Sequence, residues 1–198
     1  YLVFYVLDLG LNHIVKRANY KIEETANFLM GLPDLSKYRI STYMDSDQHH
    51  VGDYDEINPF VLVGFEDFVM IKDLHGFYNI KVPIPRRKGV SMPTTIICFA
   101  IQTLKNDFFV LLQSNYGDLF KLKIQPNKED SNRPVAFISY FDTIPQATDL
   151  HIFKNGFLFA NAELYDNRLF QFESLGDDIP VEGTFEPSST LRNLSLVD

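Results

Sequence analysis

The feature that most constrains the fold is a pair of apolar, aromatic-rich segments that recurs about every 50 residues. Residues 151–172 form two apolar runs without proline around a polar break, which predicts two strands joined by a tight turn. Residues 106–124 follow the same plan, and Leu119-Phe120 precedes Leu169-Phe170 by 50 positions. Phe120 and Phe170 are therefore expected to occupy equivalent core positions.

The first strands of these pairs repeat with a similar spacing. Residues 108–110 precede residues 157–159 by 49 positions, which makes the turn of the later pair one residue longer. A weaker earlier copy spans residues 59–73, where residues 60–62 lie 49 positions before residues 109–111. The chain is thus predicted to contain three copies of one supersecondary unit.

Each pair is flanked by further strand-like runs, whereas helical periodicity is not sustained over a dozen residues anywhere. The predicted outer strands are residues 24–30, 76–82, 94–102, 135–141 and 148–153. Four-stranded antiparallel meanders at this spacing indicate an all-β fold of WD40-like β-propeller blades. Closed propellers have at least ~4 blades, so we expect a partial propeller that belongs to a larger, multi-propeller chain.

The expected organisation is a run of blades over residues 1–180, interrupted by a long loop at 33–58. Residues 181–198 form a loop rich in Pro, Ser and Gly and then a strand, "LRNLSLV". That strand either closes the last blade or leads to the next propeller.

Composition limits the partners. The formal charge of −8 opposes nucleic-acid binding across the whole surface. No apolar run is long enough to span a membrane, so no membrane partner is expected. The single cysteine, Cys98, lies in an apolar run and is predicted to be a buried thiol, which favours a reducing compartment.

The densest polar cluster is "DSDQHHVGDYDE". Its acidic residues partly follow a calcium-loop pattern, but His50 stands where that pattern requires glycine and no helices flank it. His49 and His50 are adjacent, and no second His or Cys cluster joins them to complete a zinc site. The cluster is interpreted as a solvated loop, and no metal or cofactor is predicted.

Arg86, Arg87 and Lys88 in "VPIPRRKG" form the only concentrated basic patch. They are the candidate partner contact, for a phosphate or an acidic protein surface. The alternative is a solvated loop between blades. The sequence has no nucleophile-elbow, Walker or dinucleotide motif, so no catalytic residue is assigned and the protein is not expected to be an enzyme.

Several segments together resemble a known family. They are "FYVLDLGLNHIVKR", "PIPRRKG", "GDLFKL", "YFDTIP", "GFLFANAE" and "LFQFESLGDD". They occur in the same order in the large β-propeller subunit family of splicing factor 3b, subunit 3, and the resemblance covers nearly the whole chain. The chain is similar to the last blades of the first of three propellers, in a fungal-type member.

The resemblance implies a non-catalytic, nuclear scaffold of the U2 small nuclear ribonucleoprotein, which recognises the intron branch site in pre-mRNA splicing. The implied partners are the HEAT-repeat subunit and small subunits of splicing factor 3b, with the U2 small nuclear ribonucleoprotein and pre-mRNA contacted indirectly. The number of blades adds the remainder of its own propeller as a partner. The alternatives are a related propeller adaptor of a cullin ubiquitin ligase, DNA-damage or polyadenylation complex, and a propeller enzyme with a site in the central channel.

Overall fold

The computed structural model describes residues 1–10, 12–33, 35, 59–76, 78–105, 107–126, 134–176 and 183–194. Within these residues the chain forms strands and turns and contains no helix. The strands are β1 (Leu2–Asp8), β2 (His13–Tyr20), β3 (Phe28–Gly31), β4 (Phe60–Gly64), β5 (Phe68–Asp73), β6 (Asn79–Pro83), β7 (Arg86–Arg87), β8 (Ile96–Thr103), β9 (Phe108–Ser114), β10 (Asp118–Pro126), β11 (Pro134–Thr143), β12 (Asp149–Phe153), β13 (Phe157–Asn161), β14 (Arg168–Phe172), β15 (Thr184–Phe185) and β16 (Leu191–Asn193).

Three four-stranded antiparallel sheets make up most of the structure. The first blade is β3-β4-β5-β6, the second is β8-β9-β10-β11, and the third is β12-β13-β14-β16. The hairpin β1–β2 precedes the first blade, and β7 pairs in parallel with β15. The prediction of an all-β fold built from four-stranded antiparallel units is confirmed.

The blades stack face to face, because their inner strands are apolar on both sides. All seven residues of β9, "FFVLLQS", are buried. Phe60, Leu62 and Ile71 of the first blade pack against Val110 and the other side chains on one face of the second blade. The opposite face of the second blade packs against the third. Strands that bury both faces read as continuous apolar runs instead of alternating ones.

Phe120 and Phe170 are equivalent core residues, as predicted. Phe120 pairs with Leu112 and faces the first blade, while Phe170 pairs with Leu158 and faces the second. Both rings therefore face the preceding blade, and they are 0 % and 5 % exposed. In the first blade, Phe68 and Met70 of β5 face the preceding hairpin in the same way and pack with Leu2 and Phe4 of β1.

The predicted alignment of β9 with β13, the second strands of the second and third blades, is wrong. Leu158 takes the place of Leu112, whereas the sequence spacing had matched it with Phe109. Since Phe170 lies twelve positions after its partner and Phe120 eight after its own, the third turn is four residues longer and not one. The resulting error of three positions is an odd number, which assigns side chains to the opposite face.

The ends of the predicted organisation fall partly outside the described residues. Of the long loop at 33–58, only Pro33 and Leu35 are described, and Leu35 is buried. The "DSDQHHVGDYDE" cluster lies entirely outside them. Near the C-terminus, β16 pairs with β14 as the fourth strand of the third blade. The division of the chain at residue 180 stays a prediction.

In the part of the chain that the structure describes, there is no helix long and apolar enough to cross a membrane.

Replacing Phe170 with alanine tests the stacking. Phe170→Ala should lower the local stability of the third blade by about 3–5 kcal/mol, because the ring fills the core between two blades. Native-state hydrogen exchange of the β13 and β14 amides in the full-length protein measures this cost. The control Leu104→Ala, at a side chain 43 % exposed in another turn, should change stability by less than about 0.5 kcal/mol. A negligible cost for Phe170→Ala would refute the packing described here.

Candidate functional site

The candidate basic patch lies in the connection between the first and second blades. Arg86 and Arg87 form β7, and Lys88 follows directly. The amide of Arg86 donates to the carbonyl of Gly183 (3.0 Å) and the amide of Lys88 to that of Phe185 (3.1 Å). The patch is therefore a strand that pairs with a segment arriving from the third blade.

Each of the three basic side chains has a carboxylate partner within the chain. Arg86 pairs with Asp67, Arg87 with Asp118, and Lys88 with Glu186 at 2.7 Å. The pairs differ in burial: the Asp118 side chain is 1 % exposed and that of Arg87 28 %, whereas both members of the Lys88 pair are more than 70 % exposed. The middle pair is thus structural in character, and the outer two lie at the surface.

Asp67 has a conformation adapted to this contact. It lies in the turn between β4 and β5 with φ 65°, a left-handed conformation that Asp tolerates better than most residues. One carboxylate oxygen also accepts the amide of Thr94 at 3.0 Å. Burial raises the pKa of Asp67, but the hydrogen bonds from Arg86 and Thr94 and the charge of Arg86 outweigh it, so the pKa is lowered overall. The same hydrogen bond raises the pKa of Arg86.

The buried pair belongs to a larger hydrogen-bond network, here called the clasp, formed by Arg87, Asp118, Thr143 and Tyr140. The Thr143 hydroxyl donates to Asp118 at 2.7 Å and lies 2.8 Å from the Tyr140 hydroxyl. Arg87 donates to both Asp118 and Thr143, and the Asp118 hydrogen bond raises its pKa against the opposing effect of burial. Burial also raises the pKa of Tyr140. The clasp joins β7, β10 and β11.

Residues 183–190, here called the strap, run from the third blade across the outer strand of the second. Phe185 stacks on Tyr140 (centroids 4.4 Å apart) and meets Phe120 edge-on. Tyr140 donates to the carbonyl of Ser188 at 3.0 Å. Asp142, only 5 % exposed, accepts the amides of Thr190 and Leu191, each at 2.7 Å. The strap therefore reaches the first inter-blade connection by lying against β11.

The connection between the second and third blades is fixed by Gln113 and Gly117. Gln113 is fully buried, accepts the amide of Ala147 at 2.8 Å and donates to the carbonyl of Pro145 at 3.0 Å. Gly117 has φ 81°, and a Cβ there would collide with the carbonyl oxygen of Ile144. Only glycine fits this turn, because it must be left-handed and lie against backbone.

The polar side chains of the basic patch, the clasp and the Gln113 connection are engaged in contacts between the blades and their connecting segments. Across the described ranges no group of three or more His, Cys, Asp or Glu side chains could hold a metal ion. Cys98 is buried, as predicted, with its thiol 3.4 Å from the side-chain oxygen of Gln113. Burial raises the pKa of this thiol to about 12, which keeps it in the unreactive protonated form.

Sequence reasoning found the basic residues but missed their acidic partners. Asp67 and Asp118 stand 19 and 31 positions from their arginines, so no local pattern links them. One signal was present: Asp67 occupies a strand-connecting turn and Asp118 directly follows one, positions where Asp is common for conformational reasons. The proposed contact of Arg86, Arg87 and Lys88 with a partner stays a prediction.

Consecutive four-stranded sheets with shared cores and inter-blade ties define a segment of a β-propeller. Comparison with known sequences agrees with this class. The model of the "RSE1/DDB1/CPSF1 first beta-propeller" matches residues 1–198. The chain belongs to this family of first propellers.

Several curated relatives cover the whole chain. It is 51 % identical to "Pre-mRNA-splicing factor RSE1" of Saccharomyces cerevisiae and 49 % identical to the protein of that name from Eremothecium gossypii. It is 34 % identical to "Splicing factor 3B subunit 3" of Drosophila melanogaster. The higher identity to yeast proteins agrees with the predicted fungal-type character. The chain spans 16 % of the length of each of these relatives.

The clasp predicts unequal effects for two neighbouring basic residues. Arg87→Met should cost about 3 kcal/mol, because it leaves the buried Asp118 without its counter-charge. Lys88→Met should cost less than about 1 kcal/mol, since exposed pairs are screened by water. Hydrogen exchange of the β7 and β10 amides measures both, and adding Asp118→Leu to Arg87→Met should restore part of the loss. Equal effects at the two positions would contradict a structural role for the clasp.

The Cys98 thiol should resist alkylation in the folded protein. At pH 8, iodoacetamide should leave the Cys98 peptide unmodified until guanidinium unfolds the protein, as mass spectrometry would show.

The raised pKa of Cys98 also makes the free energy of unfolding depend on pH. Below about pH 8.5 the thiol is protonated in both the folded and the unfolded state, so its contribution to stability is fully present. Between there and the folded pKa of about 12, only the unfolded state loses the proton, so stability falls as pH rises. Rapid labelling of the folded protein would contradict the observed burial.

Proposed function

We propose that this chain is part of a non-catalytic scaffold subunit of splicing factor 3b. In this role it supports assembly of the U2 small nuclear ribonucleoprotein and branch-site recognition in pre-mRNA splicing through protein–protein contacts. The proposed location is the nucleus. The proposed partners are the HEAT-repeat and small subunits of splicing factor 3b, with the U2 small nuclear ribonucleoprotein and pre-mRNA contacted indirectly.

The observation that carries this proposal is how the chain uses its polar residues. The matching segments "PIPRRKG", "GDLFKL" and "YFDTIP" supply Arg87, Asp118, Tyr140 and Thr143, which meet in the clasp. These side chains hold blades in fixed relative positions, which is what a rigid docking platform needs. Relatives that cover the whole chain are named as splicing factors, which favours the splicing assembly over other assemblies.

The basic patch contributes to this role mainly through its outer members. Arg86 and Lys88 have side chains 45 % and 71 % exposed, so both can meet an acidic protein surface or a phosphate. Such a partner has to compete with Asp67 and Glu186. We therefore propose a rim contact that improves specificity and association rate more than affinity.

The remainder of its own propeller is a further proposed partner. The hairpin β1–β2 is a sheet of only two strands. Tyr5, Leu7 and Ile14 on this hairpin are each more than 50 % exposed. Because every complete blade has four strands, we propose that other strands of the full-length protein complete this sheet and cover these side chains.

The second candidate is a related propeller adaptor of a cullin ubiquitin ligase, DNA-damage or polyadenylation complex. One observation favours it: the matching family model is shared by three kinds of protein and is not restricted to splicing factors. The names of the relatives favour splicing. A propeller enzyme with a channel site is the least supported alternative.

Purification of the full-length protein from nuclear extract distinguishes the splicing scaffold from an adaptor of another complex. Mass spectrometry and RNA sequencing should find the other splicing factor 3b subunits and the U2 small nuclear RNA in stoichiometric amounts. An untagged extract provides the background. Recovery of cullin or polyadenylation factors in their place would retain the fold and overturn the assignment.

A further inference from the structure

The turn between β13 and β14, residues 162–167, differs from the corresponding turns of the other blades. In the first blade the turn is packed, with Phe65 fully buried and stacked on Phe68. In the second blade Tyr116 donates to the carbonyl of Met92 at 3.3 Å. The aromatic side chains of those two turns therefore contact neighbouring parts of the same chain.

The third turn instead presents apolar side chains to solvent. Leu164 is 83 % exposed and Tyr165 is 55 % exposed. Within the described ranges the Tyr165 hydroxyl has no hydrogen-bond partner. The turn is nevertheless organised, because the amide of Ala162 donates to the side-chain oxygen of Asn167 at 3.0 Å and so joins its two ends. Tyr is enriched at binding hot spots, so an exposed Tyr beside an exposed Leu on a capped turn has the character of an interface anchor.

The position of the turn separates it from the surface that another blade would cover. A following blade would pack on the far face of the third sheet, where Phe157, Phe159 and Leu169 remain partly exposed. Residues 162–167 lie beyond the ends of β13 and β14, at the rim. Loop rims of rigid scaffolds are common docking positions.

The charges around the pair select the kind of partner. Glu163 and Asp166 flank it in sequence, and both are exposed. Asp149, paired across the sheet with Asn161 at the base of the turn, adds a third carboxylate, which lies 2.8 Å from His151. Arg168, the first residue of β14, is the one basic residue directly flanking the turn, so the three carboxylates leave a net negative charge, which opposes phosphate and argues against RNA at this point. They favour a protein surface that carries basic side chains.

We propose that residues 162–167 are a docking turn for a separate protein chain. Leu164 and Tyr165 insert into an apolar pocket of that partner, and Lys or Arg side chains around the pocket face Glu163 and Asp166. The inference rests on the proposed scaffold role, because it assigns one of its contact surfaces. It does not depend on which assembly the scaffold serves.

The first experiment places a photo-reactive p-benzoylphenylalanine at position 164 of the full-length protein in its native complex. Irradiation and mass spectrometry should locate crosslinks in another chain, at apolar residues with Lys or Arg nearby. Crosslinks confined to the protein's own chain would overturn the proposal. A crosslinked partner from outside the splicing machinery would support the docking turn and contradict the proposed function.

The second experiment measures affinity for the partner chain so identified. The double variant Leu164→Ser/Tyr165→Ser should bind roughly tenfold or more weakly, as expected for an anchor. Leu104→Ser is the matched control, because Leu104 is 43 % exposed and also lies in a strand-connecting turn; it should bind within about twofold of the wild type. Binding of the double variant within that range, while U2 components still co-purify, would overturn the docking turn and leave the scaffold role intact.

Glu163→Lys/Asp166→Lys tests the charge argument separately. This variant keeps both apolar side chains, so it should still crosslink but should bind more weakly at low salt. The difference from the wild type should shrink as salt rises, because screening removes the attraction between exposed charges. Tighter binding by the charge-reversed variant would overturn the assignment of a basic pocket rim.

Discussion

The burial of both faces of each sheet is the constraint on which the rest of the structure depends. A four-stranded sheet such as the second blade is apolar on both sides, so it is stable only between two other sheets. Its strand β9 illustrates this requirement, since all seven of its residues are buried. Hydrophobic burial is not directional, however, and by itself it would allow the sheets to slide or rotate.

Hydrogen bonds of buried polar side chains at the blade edges fix the relative orientation of the sheets. Asp118 and Asp142 are almost fully buried carboxylates, and each is held by donors from a different part of the chain. A buried carboxylate without donors is strongly unfavourable, so only one relative placement of the blades satisfies both. Gln113 has the same effect at the next connection. Apolar contacts thus bring the sheets together, and hydrogen bonds set how they meet.

The sequence predicted the elements well and their connections less well. The 50-residue spacing identified Phe120 and Phe170 as equivalent, because the third strand of a blade must meet the preceding blade in the same way each time. It misplaced Leu158, because the turn that follows had gained residues and spacing alone cannot detect that. The acidic partners of the basic patch were not predictable, since Arg87 and Asp118 come together only after two sheets have stacked. The strap was equally hidden, because β15 contains two residues and pairs with β7 almost a hundred positions earlier.

The strap also has a consequence for the order in which the protein acquires its structure during synthesis. Strand β11 is complete once Thr143 has left the ribosome, but Phe185, which stacks on Tyr140 of this strand, follows 42 positions later. At ordinary elongation rates that interval is about 2–8 s. For this period Tyr140 and Asp142 lack the stacking ring and the amide donors that the strap supplies in the folded protein. The second blade is therefore finished only when the third blade has been made, and a chain that stopped before Phe185 would leave an aromatic ring and a carboxylate of the second blade without their partners.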